Sequence, residues 1–439
     1  MKQIFGRIIL EYLRIFAKIK LRRIHPKIIG VTGSVGKTSA IHGLHTVISK
    51  KYKTKTTWKG NSESGIPLEI LNIKLKDFSF MSWIRACIVA PMKAFDDESY
   101  EVLIVEMGVD APTEPKNMEY LLKIISPDIG IILNVSAVHT AAFNGNVEAI
   151  AKEKGLLATR MDVSKTAIVN GDEHLLQDIQ KDIQAEILLF GRGKNAVLRF
   201  TGYSLNKFTT RFTFEAEGKP YALKFIDQLF FEEYGYIFSA ILLGAWKLDI
   251  SFADAIHTLE KEYRLPSGRL SIIKGEKHST IIDSSYNASP AAVAAVLNLI
   301  KNVHVSGKKI VVLGDMRELG ILEEEKHKEI GVFATQSGEY IILVGPNMKR
   351  YALPAILATG FPKDHVFSFD TAKDVGQFII KNILKRNDLI VVKGSQNTIF
   401  LETVVYDLMK EKGKAHELLC RQSQYWQHVR KKFFQNPNL

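Results

Sequence analysis

From Lys27 onward, short apolar runs alternate with amphipathic stretches, and their lengths predict strand, loop and helix in repetition. Lys27–Thr32 reads as a buried strand, Gly33–Gly36 as a glycine loop and Lys37–Ser49 as a helix. Further strands are predicted at 102–106, 129–133 and 166–169, with helices at 116–125 and 147–160. Such alternation predicts a parallel sheet with helices on both faces. Residues 196–226 differ: alternating Thr, Phe, Tyr and Leu predict antiparallel strands near a domain edge. Leu265-Pro266-Ser267-Gly268 interrupts the pattern, which then restarts. Strands follow near 279–283, 309–313, 340–344, 365–369 and 388–392, separated by helices near 290–302, 323–336, 371–385 and 398–411. The expected fold class is α/β, with a central parallel-sheet domain over 27–265 and a Rossmann-like domain over 266–426. A basic amphipathic helix over 1–26 precedes them and a basic tail over 427–439 follows.

The leading helix changes the picture of charge. Ile4, Phe5, Ile8, Ile9, Tyr12, Leu13, Phe16 and Ile19 fall on one side, with Arg7, Glu11, Arg14, Lys18 and Arg22 on the other. Residues 1–27 hold eight basic side chains and one acid, so +7 of the formal +12 sits there. Two readings fit: a helix lying in a membrane interface through residues 1–25, or one packed on the body with a solvated basic face. The rest of the 439 residues are only mildly basic, which argues against a nucleic-acid partner. Hydrophobic residues at 46% and charged residues at 24% exclude a disordered chain. Cys87 and Cys420 form no paired motif, so a disulfide framework and a zinc site are not expected. These features predict a cytoplasmic enzyme, at most at the inner face of the membrane, working as a monomer on small molecules.

The strongest chemical signal is Gly30-Val31-Thr32-Gly33-Ser34-Val35-Gly36-Lys37-Thr38, which leaves a strand and opens a helix. Gly33, Ser34, Val35 and Gly36 let backbone N–H groups approach phosphate oxygens at a helix N-terminus. Lys37 would reach the terminal phosphates of ATP, and the Thr38 hydroxyl would ligate Mg²⁺. Glu106 ends an apolar strand where an open sheet binds its ligands, so two readings fit: a holder of Mg²⁺, directly or through water, or a solvated loop charge. His139 follows the next strand as a metal or phosphate neighbour. Lys152, Glu153 and Lys154 on the following helix read by default as a solvated charge run. In the second domain, strand ends at Asp283-Ser284-Ser285-Tyr286-Asn287, Gly314-Asp315 and Lys393-Gly394-Ser395 predict one ligand cleft.

In this order the motifs resemble the Mur ligases, from about residue 28 to 426. Gly60-Asn61 with Gly65-Ile66-Pro67-Leu68, Glu106-Met107-Gly108, Asn134 through His139 and Ala151-Lys152-Glu153-Lys154-Gly155 are similar to elements of the central domain. Tyr286-Asn287, Gly314-Asp315-Met316-Arg317-Glu318-Leu319-Gly320 with His327, and Lys393-Gly394-Ser395 are similar to the branch that handles D-alanyl-D-alanine. The resemblance implies an ATP-dependent peptide ligase that adds D-alanyl-D-alanine to a UDP-N-acetylmuramoyl-tripeptide-like precursor through an acyl phosphate. It implies catalytic roles for Lys37, Lys154 and His139, and Mg²⁺ ligation by Thr38, Glu106, His139 and a carbamylated Lys154. It also implies ATP contacts from Arg269, Asn287 and Asp315, and substrate contacts from Asn61, Lys393 and Ser395.

Departures are visible too. Ser284 and Ser289 stand where the family has Asp and Asn, and its His-Asn-x-x-Asn element is replaced around Tyr234–Ser239. Only the basic helix stands ahead of the loop, where the family carries a UDP-gripping domain. UDP would then be recognised elsewhere or by a partner, or the substrate would carry none. Alternatives are a related ligase for a polyglutamate-like carboxylate and an ATP-binding scaffold without catalysis.

Overall fold

A computed structural model of the chain describes residues 2–58, 60–136, 140–394 and 399–435. His139, Ser395 and the side chains of Ile4 and Phe5 lie outside the described residues. By its internal contacts the chain divides into two units. The first comprises Met1–Tyr203, Phe212–Leu223 and Glu232–Tyr263; the second comprises Ser204–Arg211, Lys224–Phe231 and Arg264–Leu439.

The larger sheet is built from β1 (Lys27–Thr32), β2 (Thr54–Thr56), β3 (Val102–Glu106), β4 (Ile129–Ile132), β5 (Thr166–Asn170), β6 (Glu186–Gly191), β7 (Leu198–Asn206), β8 (Thr209–Ala216) and β9 (Lys219–Phe225). Their spatial order is β2-β3-β1-β4-β5-β6-β7-β8-β9, parallel from β2 to β7. Every residue of β3, β4 and β5 is buried, as expected of strands covered on both faces. Two-residue connections join β7 to β8 and β8 to β9, a length that only antiparallel neighbours allow. The alternation read over 196–226 therefore is a meander attached to the edge of the parallel sheet.

Six helices of this unit matter below: α1 (Lys2–Ile24), α2 (Lys37–Ile48), α3 (Gly65–Ile70), α4 (Phe80–Ala94), α5 (Met118–Ile124) and α6 (Val147–Thr159). The packed-helix reading of the N-terminus describes α1, but the stripe that is buried is Ile9, Leu13, Ala17 and Leu21, while Ile8 and Tyr12 stay exposed. It lies against α3, α4 and α5. Its basic residues are not simply solvated. Lys20 is fully buried and meets Asp96 at 2.9 Å and Glu98 at 2.6 Å. Hydrogen bonds from Lys20 and Lys55 hold the Glu98 carboxyl below its usual range, against the opposing effect of burial.

The second sheet contains β10 (Ser271–Lys274), β11 (Thr280–Ser284), β12 (Lys309–Gly314), β13 (Tyr340–Val344), β14 (Val366–Phe369) and β15 (Leu389–Lys393), in the order β10-β11-β15-β12-β13-β14. All pairings are parallel except that of the edge strand β10. Residues expected as a basic tail instead form the helix Gln424–Gln435. The Phe433 and Phe434 rings of that helix lie 5.3 and 6.2 Å from Phe400.

Candidate active site

In the first unit, register decides what meets what. Val31 of β1 is opposite Glu106 of β3, and Thr32 is opposite Ile132 of β4. The turn after β1 is thereby set between the ends of its two neighbours. Gly36 has φ 88°, and a Cβ there would come within 2.8 Å of Ile237, so only glycine fits this entry to α2. Asn134 holds the loop. Its carbonyl accepts from Ser34 N–H (3.0 Å), its Oδ1 from Val35 N–H (2.9 Å), and its Nδ2 donates to the Val35 carbonyl (2.9 Å). Among the described residues no side chain caps α2, leaving its first-turn N–H groups for an anion.

Two lysines converge on one acceptor. Lys37 Nζ donates to the Gly33 carbonyl at 2.8 Å, and Lys154 Nζ donates to the same oxygen at 3.3 Å. The charge run on α6 is not uniformly solvated: Lys152 is exposed, Glu153 accepts from Met118 N–H at 2.6 Å, and Lys154 is 2% exposed. Burial, with the neighbouring Lys37 charge, brings Lys154 down to about 8, although Asp110 and Glu153 oppose the shift. Burial also lowers Lys37, against Glu106 and Asp110. On the other side of the loop, Thr38 Oγ1 donates to Glu106 Oε2 at 2.9 Å. Asn61 Nδ2 donates to Glu106 Oε1 at 3.2 Å, so Asn61 stands beside the carboxylate. A hydroxyl and a carboxylate side by side are hard oxygen donors of the kind Mg²⁺ takes, together with phosphate and water. Among the described residues no cluster of three or more His, Cys, Asp or Glu is gathered to hold a metal.

Farther along the strand ends, Asp172 accepts from Gly193 N–H at 3.1 Å, Arg192 N–H at 2.6 Å and the Tyr236 hydroxyl at 3.0 Å. Tyr234 and Ser39 hydroxyls are 3.4 Å apart, and Ser239 is buried against the Gly235 carbonyl. This is what occupies the replaced His-Asn-x-x-Asn region.

In the second unit, Lys393 of β15 lies in register between Ser284 of β11 and Leu313 of β12. It is 4% exposed and donates to the carbonyls of Ser284 (3.3 Å) and Asn287. Burial brings Lys393 to about 8, with Arg269 adding to the shift and Asp283 opposing it. Asp283 is fully buried; one oxygen accepts from Ser285 N–H at 2.9 Å, and burial pushes its carboxyl up to about 6. Arg421 grips the loop from a residue with no local sequence signal. It bonds Glu402 at 3.1 and 2.8 Å and donates to the Ser285 and Tyr286 carbonyls, each at 2.9 Å. Arg269 is exposed, its guanidinium 4.8 Å from the Tyr286 ring centre, and Asn287 is exposed beside it in sequence. Asp315 accepts from the Met348 (2.7 Å) and Asn347 (3.2 Å) N–H groups, so its carboxylate positions that turn. His327 Nε2 accepts from Met316 N–H at 3.1 Å, which leaves the proton on Nδ1 to face the Glu323 carbonyl at 2.6 Å.

Sequence reading singled out the lysines and Glu106, named Asn134 only as the start of a family element without its clamp on the loop, and passed over the Arg421–Glu402 pair. Asn134 carries a weak signal, as a polar residue directly after an apolar strand. The second pair carries none.

The Mur ligase middle domain matches residues 31–227, and the Mur ligase glutamate ligase domain matches 268–396. The chain is 30% identical over 407 residues to the UDP-N-acetylmuramoyl-tripeptide–D-alanyl-D-alanine ligase of Bacillus subtilis, covering 91% of this chain and 80% of that enzyme. A MurF ligase from Thermotoga maritima in complex with ADP is similar in fold, with TM-score 0.68, 21% identity and coverage of 96% and 84%. MurF from Acinetobacter baumannii gives TM-score 0.73 and 21% identity, with coverage of 91% and 80%.

Proposed function

Since this chain belongs to the Mur ligase family, we propose that it joins D-alanyl-D-alanine to the free carboxylate of a UDP-N-acetylmuramoyl-tripeptide, driven by ATP with Mg²⁺. The reaction passes through an acyl phosphate: the tripeptide carboxylate attacks the γ-phosphorus and ADP leaves, and the dipeptide amine then displaces phosphate from the acyl carbon with loss of a proton. The observation that carries the reading is the pair of lysines at the Gly33 carbonyl beside the Thr38–Glu106 oxygen pair.

Gly33–Gly36 and the first turn of α2 bind phosphate oxygens, and Lys37 turns from the Gly33 carbonyl to the transferring phosphoryl group. That placement favours charge developing on the phosphoryl oxygens without reorganisation during the step. Thr38 and Glu106, with His139, would hold Mg²⁺, and the bound metal would supply charge neutralisation between nucleotide and carboxylate. Burial and the neighbouring Lys37 charge lower Lys154, which makes its neutral, nucleophilic amine easier to reach. Its amine adds to CO₂ with loss of a proton, giving a carbamate that replaces a repelling charge by an attracting one. Arg269 and Asn287 contact the nucleotide. Asp315 and Lys393 act by positioning the Asn347 turn and the Tyr286 loop, and Asn61 and Ser395 contact substrate. Catalysis takes place in the cytoplasm on a single copy of the chain.

Phosphate release from Mg-ATP tests this. It is expected only with UDP-N-acetylmuramoyl-tripeptide and D-alanyl-D-alanine together, with the pentapeptide product seen by mass spectrometry. Release driven equally by glutamate, or none despite measured ATP binding, would overturn the assignment.

A further inference from the structure

Two lines of exposed side chains run along neighbouring helices of the first unit. On α4 and its first following residue, Met81, Arg85, Ile88, Met92 and Phe95 recur at helical spacing, on the side opposite the buried Ala86, Ala90 and Ala94. Ile88 is 67% and Met92 72% exposed, and Phe78, just before the helix, is 87% exposed. On α1, Ile8, Tyr12 and Ile15 form a second exposed line, which Arg22 continues toward the helix end. α1 packs along α4, and Lys20 and Arg23 both reach Asp96 just past α4, so the C-terminal ends of the two helices meet. Single exposed apolar residues are ordinary; paired lines of them mark an interaction surface.

The charges beside these lines are selective. Arg7, Arg14, Lys20 and Arg23 each have a carboxylate partner. Lys18, Arg22 and Lys27 form no ion pair among the described residues, and with His25 they line a cavity of about 560 Å³ floored by Leu21 and Ile125. The carboxylate in its wall, Asp128, is already bound to Lys165 at 2.5 Å and Ile28 N–H at 2.8 Å. α4 holds no acid, and the single acid of α1, Glu11, is bonded to Arg14.

We propose that the α1–α4 face docks on an anionic membrane surface, with the apolar lines entering the acyl boundary and Lys18, Arg22 and Lys27 receiving lipid phosphates. Arginines within an apolar line suit this partner, because their stems lie along hydrocarbon while the guanidinium stays at the headgroups. No helix among the described residues is long and apolar enough to cross a membrane, so the contact is peripheral. This surface is separate from the loop site and does not depend on the ligase assignment.

Flotation of the full chain with vesicles tests it. Binding to vesicles of equal phosphatidylglycerol and phosphatidylcholine is expected at least about ten-fold above that to phosphatidylcholine alone. The triple variant Met81→Ser, Ile88→Ser, Met92→Ser should lose about ten-fold or more of the binding. Lys18→Glu with Arg22→Glu should abolish the preference for the anionic lipid. Unchanged melting and unchanged phosphate release with water-soluble substrates show that both variants remain folded enzymes. No flotation of the wild type, or a triple variant that floats equally well, overturns the proposal. So does a wild-type dimer in sedimentation that the triple variant converts to monomer, since a second copy would then cover the face.

Discussion

Lys154 and Lys393 are both buried near strand ends of parallel sheets and both are held near 8 by burial, each with a cationic neighbour lowering it and a carboxylate opposing, yet the weight of those charges and the bonds they make differ. Lys154 shares the Gly33 carbonyl with a second lysine, so like charge joins burial in lowering it. For Lys393 the larger charge effect is the opposing Asp283, with Arg269 lowering it less, and the amine bonds two loop carbonyls. Under the proposed function, the same titration range belongs to a group that is carbamylated in one case and to one that holds a loop in the other. A shifted lysine by itself does not distinguish them; its hydrogen-bond acceptors and charged neighbours do.

The largest expected break in the comparison is Glu402→Gln. It leaves Arg421 buried without its carboxylate, at a cost of about 3–5 kcal/mol. Thermal melting should fall steeply, whereas the phosphate loop of the first unit should still bind ATP in calorimetry. Next is Lys37→Ala, expected to lower phosphate release about 10²–10³-fold with the melting temperature held, read from steady-state assays and circular dichroism.

The paired test sharpens it. Lys393→Met should cost about 1–3 kcal/mol by leaving two loop carbonyls unpaired. Lys154→Met should abolish turnover yet leave stability equal or higher, because it removes a charge crowded by Lys37. Equal destabilisation of both variants would erase the distinction drawn here.

The smallest effects are in pH. Each lysine has a folded value below its unfolded one, so the unfolded chain binds more protons between about 8 and 10.5, and both groups make stability rise across that window. Asp283 runs the other way: raised to about 6, it contributes stability below its unfolded value that is lost as pH rises through 6. Denaturant titrations of Asp283→Asn should lack that acid-side decline.

Periodicity exposed much of this fold. The strands that carry Gly33, Glu106, Asp283 and Lys393 are short apolar runs bounded by polar turns, and their order alone argued for parallel sheets. α4 was not legible. Its sequence is apolar on both faces, because one face is buried through alanines while the other carries exposed Met and Ile. Lys154 showed a different limit, since one helical charge run holds an exposed, a half-buried and a buried member. The Arg421–Glu402 pair joins residues far apart in sequence, and nothing local foretells a partner chosen by the fold. Ser284 stands out in the sequence only as a departure from the family's Asp; its carbonyl is an acceptor for Lys393.

The division of the chain has a practical consequence. It passes between the units near 203, 211, 223, 231 and 263, because the ends of the β7–β9 meander belong with the second unit. There Leu229 is buried, with Leu205 and Phe208 packed alongside, over Leu270, Ile282 and Val296. A fragment begun at Arg264 would lose these covering residues and open that cluster to water. The two units are thus threaded together by several passes of one chain, and no single cut frees either one.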